Sequence, residues 1–157
     1  MTVTVRPSVV PILWYQRPRD AIDWLCRALG FEALMVVDDG DGGVMHSELR
    51  FGDGAIYVVG PPRDGMNGAS PRGVNGRNTQ HVHLNLAEGL DAHCAQARAE
   101  GAAIEREPTD QPYGDRVYTC LDPEGHSWSF GQPVKAMSVA EMAEATGHRI
   151  DTPGAHG

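Results

Sequence analysis

Three histidines and one carboxylate, standing in two close pairs, carry most of the chemistry this chain could perform. His46 and Glu48 stand two residues apart, as do His81 and His83. Residues two apart on an extended strand point to the same face, so each pair would share one surface. An imidazole near neutrality beside a carboxylate that orients it is acid-base equipment, which makes His46 and Glu48 the candidates for proton transfer. Each pair also has a plainer reading: His46 with Glu48 as a hydrogen-bonded pair in a polar cavity wall, His81 with His83 as a solvated strand face or a subunit contact. His46, Glu48 and His81 or His83 would together make a displaced two-histidine, one-carboxylate metal set if their strands face one another across a cleft. Trp14 and Tyr57 could stack on a flat ligand or serve as strand packing.

Other chemistries are not indicated. Ser127 and Ser129 lack the Gly-x-Ser-x-Gly elbow of an activated serine, and the glycines have neither Gly-x-Gly-x-x-Gly nor Walker-A spacing, so no nucleotide cofactor is expected. A formal charge of −8, with no run among the 13 Lys and Arg residues, argues against nucleic acid. That charge suits a cationic or neutral small ligand, and equally an acidic surface that keeps the protein in solution. Cys26, Cys94 and Cys120 show no Cys-x-x-Cys spacing, and two of them fall on apolar helix stripes, so buried free thiols in a reducing cytoplasm are expected. No apolar run approaches the ~20 residues of a membrane span, and Met1 to Arg6 lacks a long apolar stretch, so a cytoplasmic protein without membrane association is expected.

The elements that must position these residues follow from a repeat. Gln111 to Gly131 reads as two strands folded about Asp122-Pro-Glu-Gly125, where Pro123 presets φ, Asp122 can bond the backbone ahead of it and Gly125 accepts a positive φ. Leu49 to Gly60 has the same plan about Gly52-Asp-Gly54. Upstream of each hairpin stands a helical pattern, with Ile22, Cys26 and Leu29 in one copy and Leu90, Cys94 and Ala97 in the other. Each ends near a glycine, Gly30 or Gly101. A strand precedes each helix, Val9 to Trp14 and His81 to Leu86. The chain of 157 residues therefore reads as strand, helix and three strands, written twice. The units are a first β-α-β-β-β module over 9–60, a connection over 61–79, a second module over 80–133, and a tail over 134–157. Residues 1–8 make a lead-in, and Ser138-Val-Ala-Glu141 has the spacing of a capping box that would start a short helix in the tail. The connection, rich in Gly, Pro, Asn and Arg, is long enough to be a lid or a passive linker.

The paired modules resemble the vicinal-oxygen-chelate superfamily, the glyoxalase, bleomycin-resistance and extradiol-dioxygenase group, and within it the PhnB-like branch. The residues that carry the resemblance are Ala21 to Phe31, Tyr113-Gly-Asp-Arg116 and Asp122-Pro-Glu-Gly-His-Ser-Trp-Ser-Phe130. It implies an α+β fold in which two tandem β-α-β-β-β modules form one concave sheet, with a small-molecule cleft often completed by a second subunit of a homodimer. Strand alternation would turn Met45, Leu49, Phe51, Ile56, Val58, Val82, Leu84, Leu86, Trp128 and Phe130 toward the helices. It leaves His46, Glu48, Arg50, Tyr57, His81, His83, Asn85, Ser127 and Ser129 on the concave side.

The superfamily's metal enzymes hold a divalent ion with one inward His or Glu on each of the first, fourth, fifth and eighth strands. Those positions carry over to Val10, Tyr57, His81 (or His83, one register away) and Ser129, of which one is a usual ligand, so no metal is expected there. The function the resemblance implies is that of a glyoxalase or bleomycin-resistance-like protein, metal-independent, which binds a small organic molecule in its concave cleft and sequesters it unaltered. Trp14, His46, Glu48, Tyr57, His81, His83, Arg116 and Ser129 would contact that ligand, a cationic aromatic molecule being favoured by the acidic composition. Arg116 at the cleft rim has a plainer reading too, as a partner of Asp115. The alternative is an enzyme of the same superfamily, a lyase, isomerase or dioxygenase that depends on a divalent metal or on His46 and Glu48.

Overall fold

The structure, a computed structural model, describes residues 7–154. The expected lead-in over 1–8 and the end of the tail fall partly outside those residues, and Met1 to Arg6 wholly so. The fold is α+β, built from two four-stranded mixed sheets of the same plan. The first holds β1 (Ile12–Trp14), β2 (Glu32–Asp38), β3 (Val44–Phe51) and β4 (Gly54–Val59) in the order β1-β4-β3-β2. The second holds β5 (Val82–Asn85), β6 (Ala103–Asp110), β7 (Asp115–Leu121) and β8 (Ser127–Pro133) in the order β5-β8-β7-β6. In each sheet the strand that precedes the helix runs parallel to the last strand of its module, and the other pairings are antiparallel.

Helix α1 (Pro18–Trp24) continues through a wider π-type turn, Leu25–Leu29, to Gly30; helix α2 (Leu90–Ala99) covers the second sheet, and helix α3 (Val139–Thr146) lies in the tail. The capping box read at Ser138 is present, with the Ser138 hydroxyl accepting from the Glu141 amide and the Glu141 carboxylate accepting from the Ser138 amide. Strand β1 is shorter than its apolar run. Pro11 has no N–H to give to a ladder, although its carbonyl still accepts from Tyr57 N at 2.9 Å.

Alternation places Leu49, Ile56, Val58, Leu84, Trp128 and Phe130 against the helices, all buried. Met45 departs from the expected side and is 67% exposed. The reason is a bulge: the β2–β3 register slips between Val37/His46 and Asp38/Val44, so Met45 is an extra residue that no partner faces. Further along β3, the Ser47 hydroxyl fills the irregular ladder, donating to the Val58 carbonyl at 2.7 Å and accepting from Val58 N at 2.8 Å. The helix-facing residues of both modules form one core, joined by an edge contact between Phe31 and Trp128 at 5.7 Å.

His93 of α2 also bridges the modules. Its Nε2 donates to the Leu29 carbonyl at 2.9 Å and its Nδ1 accepts from the Tyr118 hydroxyl at 2.6 Å, while its ring packs 4.5 Å from Phe130. Burial favours the neutral ring and lowers its pKa below the usual 6.5. The thiols are held protonated by the same effect: burial raises Cys26 and Cys94, and pushes Cys120 up to about 12.

The second junction is polar and centres on the β7–β8 turn. Gly125 takes the positive φ expected of it, at 87°. The carboxylate of Glu124, only 6% exposed, accepts from Gln16 N and Arg17 N at 2.8 Å each and from the Ser70 hydroxyl at 2.5 Å. It thereby satisfies the amides where the chain enters α1, whose first residue, Pro18, has none to offer. Asp122 beside it accepts from the Tyr15 hydroxyl at 2.6 Å and from Trp128 Nε1 at 3.1 Å. The connection is tied to the same turn by Arg72, which donates to the Glu124 and Pro123 carbonyls, and by Asn78, which donates to the Gly125 carbonyl.

Two outcomes follow from these junctions. Glu124→Ala leaves three donors without their acceptor and should lower the unfolding free energy by about 2–4 kcal/mol, read as a lower urea midpoint at unchanged slope. For His93, the folded pKa lies below the unfolded one, so the unfolded chain binds more protons as pH falls through the ordinary histidine range, and stability drops with it. Denaturation of wild type and His93→Gln between pH 8 and pH 5 should show the wild-type advantage shrinking toward acid; an advantage that stays constant would contradict this.

Candidate functional site

A cavity of about 460 Å³ lies where the two modules meet. One wall is β1, through Ile12 and Trp14; the opposite wall is the start of β5 and β8, through His81, Ser127 and Trp128; the roof is the connection, from Asn67 to Gln80. The connection is therefore a fixed part of the site. Its Ser70, Arg72 and Asn78 are bonded to the β7–β8 turn, and a short helical turn, Pro71–Val74, packs under it. Gly68 lies against the indole so closely that a Cβ there would sit 1.9 Å from Trp14 Cε2, a distance no side chain can occupy. Ile12, 53% exposed, contributes open apolar surface to the wall.

The residues singled out in the sequence fall into four places. Trp14 and His81 line the cavity. His46, Glu48 and Tyr57 gather elsewhere, on the face of the first sheet away from the helices: His46 Nε2 is 3.3 Å from Glu48 Oε1, and the imidazole meets Tyr57 edge-on at 4.7 Å. Tyr57 is the β4 register partner of Ile12, and His46 and Glu48 are on β3 beyond it, so the cluster stands one and two strands from the cavity wall and outside the cavity lining. His83 and Ser129 are register partners across β5 and β8, with His83 Nδ1 2.7 Å from Ser129 Oγ.

Arg116 is held by Asp110 at 2.8 Å and by Asp91 of α2 at 3.1 Å. It is not paired with Asp115, because neighbours on a strand point to opposite faces. The hydrogen bonds to Asp110 and Asp91 hold its guanidinium pKa above the ordinary value.

Three contributors went unread in the sequence. Glu124 was seen only as a turn residue; its role emerges from the approach of segments more than 100 residues apart. His126, which the sequence shows only as a residue of the Asp122–Phe130 block, is half-buried: Nε2 donates to the Trp14 carbonyl at 2.8 Å, and the ring lies 4.4 Å from Tyr15. The close approach of Gly68 to Trp14 leaves no mark in the sequence beyond a glycine among others.

The donor set does not suit a divalent ion. Val10, Tyr57, His81 or His83, and Ser129 offer one imidazole among an alkyl group, a phenol and a hydroxyl, whereas such a site takes about three imidazole, thiolate or carboxylate ligands. Among the described residues, no group of three or more His, Cys, Asp and Glu side chains stands close enough to hold a metal ion. His46, Glu48 and His81 or His83 thus do not converge into the displaced set. None of the helices, over the described residues, is long and apolar enough to cross a membrane.

Known proteins share this architecture. An uncharacterized protein of Mycobacterium bovis is 29% identical over 96% of this chain and 99% of its own length. The crystal structure of TioX from Micromonospora sp. ML1 is similar with a TM-score of 0.64 and 29% identity, covering 81% of this chain and 98% of that one. The structure of TnmS3, an antibiotic binding protein from Streptomyces sp. CB03234, shares the fold with a TM-score of 0.57 at 20% identity, over 83% of this chain and 99% of that one. The family model for the Glyoxalase/Bleomycin resistance protein/Dioxygenase superfamily matches residues 8–130, across both modules and the connection between them, and the chain belongs to that superfamily.

Proposed function

We propose that this protein binds a small, flat organic molecule in the cavity between its modules, without a metal ion and without altering the molecule. The observation that carries this reading is the composition of the cavity. It offers an indole and an aliphatic wall under a roof pinned by hydrogen bonds, while the groups suited to proton transfer stand outside it. Apolar walls with a few polar fixing points are the usual anatomy of small-molecule sites. TnmS3, of the same fold, is an antibiotic binding protein, and sequestration of a drug is the activity we assign by analogy.

Within the superfamily we assign the chain to the PhnB-like branch, on the blocks at 21–31, 113–116 and 122–130. We also take it to act as a cytoplasmic homodimer. Leu34, Met35, Val36 and Val37 stand exposed in succession on the edge strand β2, a surface that a second subunit would cover. A second reading rests on the His46, Glu48 and Tyr57 cluster, whose imidazole and carboxylate are within reach of each other and would serve a lyase or isomerase if a substrate entered the open face.

Thermal unfolding in the presence of EDTA separates the two. A panel of flat aromatic antibiotics, and the glutathione adduct of methylglyoxal, would be added to wild type, Trp14→Ala and His46→Ala. At a concentration 100-fold above Kd, an aromatic antibiotic should raise Tm by about 5–10 °C. Trp14→Ala should remove the shift, and His46→Ala should keep it. Turnover of the adduct that disappears with His46→Ala, or stabilisation only after a divalent ion is restored, would overturn the binding reading.

A further inference from the structure

The charge of the molecule and the charge of its cavity have opposite signs. The chain carries −8 overall, which alone would favour a cationic guest. Among the described residues, no aspartate or glutamate lines the cavity, whereas Arg77 and His81 do. The acidic residues nearest in the fold face elsewhere. Asp122 and Glu124 line a separate pocket with Tyr15 and Trp24, and their oxygens are taken up by the Tyr15, Trp128, Ser70, Gln16 and Arg17 donors. Glu105 belongs to an outer groove that shares Asn78, Thr79, Gln80, His81 and Ser127 with the cavity, but it is not itself in the cavity lining. Asp39 is bonded by Arg63 and by the amides of its own turn.

Arg77 stands apart from the other arginines around the site. Arg63 pairs with Asp39 and Arg72 donates to the Pro123 carbonyl, but among the described residues the Arg77 guanidinium has neither an ion-pair nor a hydrogen-bond partner. The His81 imidazole likewise has none. His126 is not a third donor, because its Nε2 proton is committed to the Trp14 carbonyl. Arg77 in the roof and His81 on the wall opposite Trp14 and Ile12 therefore remain as the basic side chains of the lining with donors to offer. A guanidinium fork is the side chain best matched to the paired oxygens of a carboxylate or sulfonate.

We propose that the guest is a flat aromatic anion, an aryl carboxylate, sulfonate or phenolate, whose ring lies against Trp14 and Ile12 and whose charged oxygens meet Arg77 and His81. This rests on the reading of the cavity as a binding site, and it replaces the cationic guest that composition alone suggests. Acidic groups on the exposed surface more than about 8 Å from the cavity are largely screened at 0.15 M salt, so their share of the −8 weighs little against a guanidinium in the lining.

Three probes with one ring system test it: anthraquinone-2-sulfonate, neutral 2-(hydroxymethyl)anthraquinone and cationic 2-(trimethylammoniomethyl)anthraquinone. Each is titrated against the intact protein in EDTA, with tryptophan quenching and calorimetry as readouts. The sulfonate should bind about tenfold more tightly than the cation, with the neutral probe between them. Arg77→Gln, at an exposed position and checked for an unchanged melting temperature, should weaken the sulfonate about tenfold and leave the neutral probe as it was. Glu105→Gln should leave the order of the three unchanged. Equal or tighter binding of the cation, or a sulfonate affinity indifferent to Arg77→Gln, would overturn the anionic assignment while leaving the cavity a binding site. Failure of all three probes to bind would overturn the binding site itself, and the assignment with it.

Discussion

One buried carboxylate holds together what the sequence keeps far apart. Glu124 sits in a hairpin turn of the second module, yet its oxygens accept from the chain entering α1 and from the connection between the modules. A carboxylate removed from water is costly unless its lone pairs are filled. Here they are filled by two backbone amides and a hydroxyl, and Asp122 alongside takes the Tyr15 hydroxyl and the Trp128 indole. Burial, together with the Asp122 and Glu124 carboxylates, raises the Tyr15 pKa well above its usual value, so the phenol stays a donor. The turn, the end of β1 and the roof of the cavity are thus one bonded unit, complementing the apolar contact of Phe31 with Trp128 on the helix side.

The functional reading depends on that unit. A roof formed by a free linker would leave Trp14 and Ile12 as exposed apolar surface; a roof fixed by Ser70, Arg72 and Asn78 makes a defined cavity of them. The same arrangement brings Arg77 to the cavity lining, where composition-level reasoning about an acidic protein would not put a cation. Chemistry-bearing groups on the open sheet remain a separate feature. His46 and Glu48 stand 3.3 Å apart there, with Tyr57 edge-on to the imidazole.

How much of this was legible depends on how local the signal is. The modules were readable because a strand, an amphipathic helix and a glycine-bearing hairpin each write a short pattern, and the pattern occurs twice. Trp128, Phe130 and Leu49 could be assigned to the core by alternation alone. The same rule failed at Met45, where a bulge shifts the phase of β3 and no residue type announces it. Within the site, Trp14 and His81 could be picked out as an aromatic and a ligand-type residue on inward strand positions. Glu124, Gly68 and Arg77 could not, because each acquires its role from a segment remote in sequence, and a turn glutamate, a loop glycine and a loop arginine are ordinary residues until the fold brings their partners in. Arg116 shows the converse: a motif that drew the eye to the cleft rim serves to tie β7 to β6 and α2.

The most direct test of this account is native-state amide hydrogen exchange at Gln16, Arg17 and Arg72, whose N–H groups all donate to Glu124. If the turn, β1 and the connection open only as one unit, these three amides should exchange together, with opening free energies close to that of the sheet amides of β7 and β8. Rapid exchange at Arg72 while the sheets stay protected would show a roof that is not fixed to the turn, and would contradict the account.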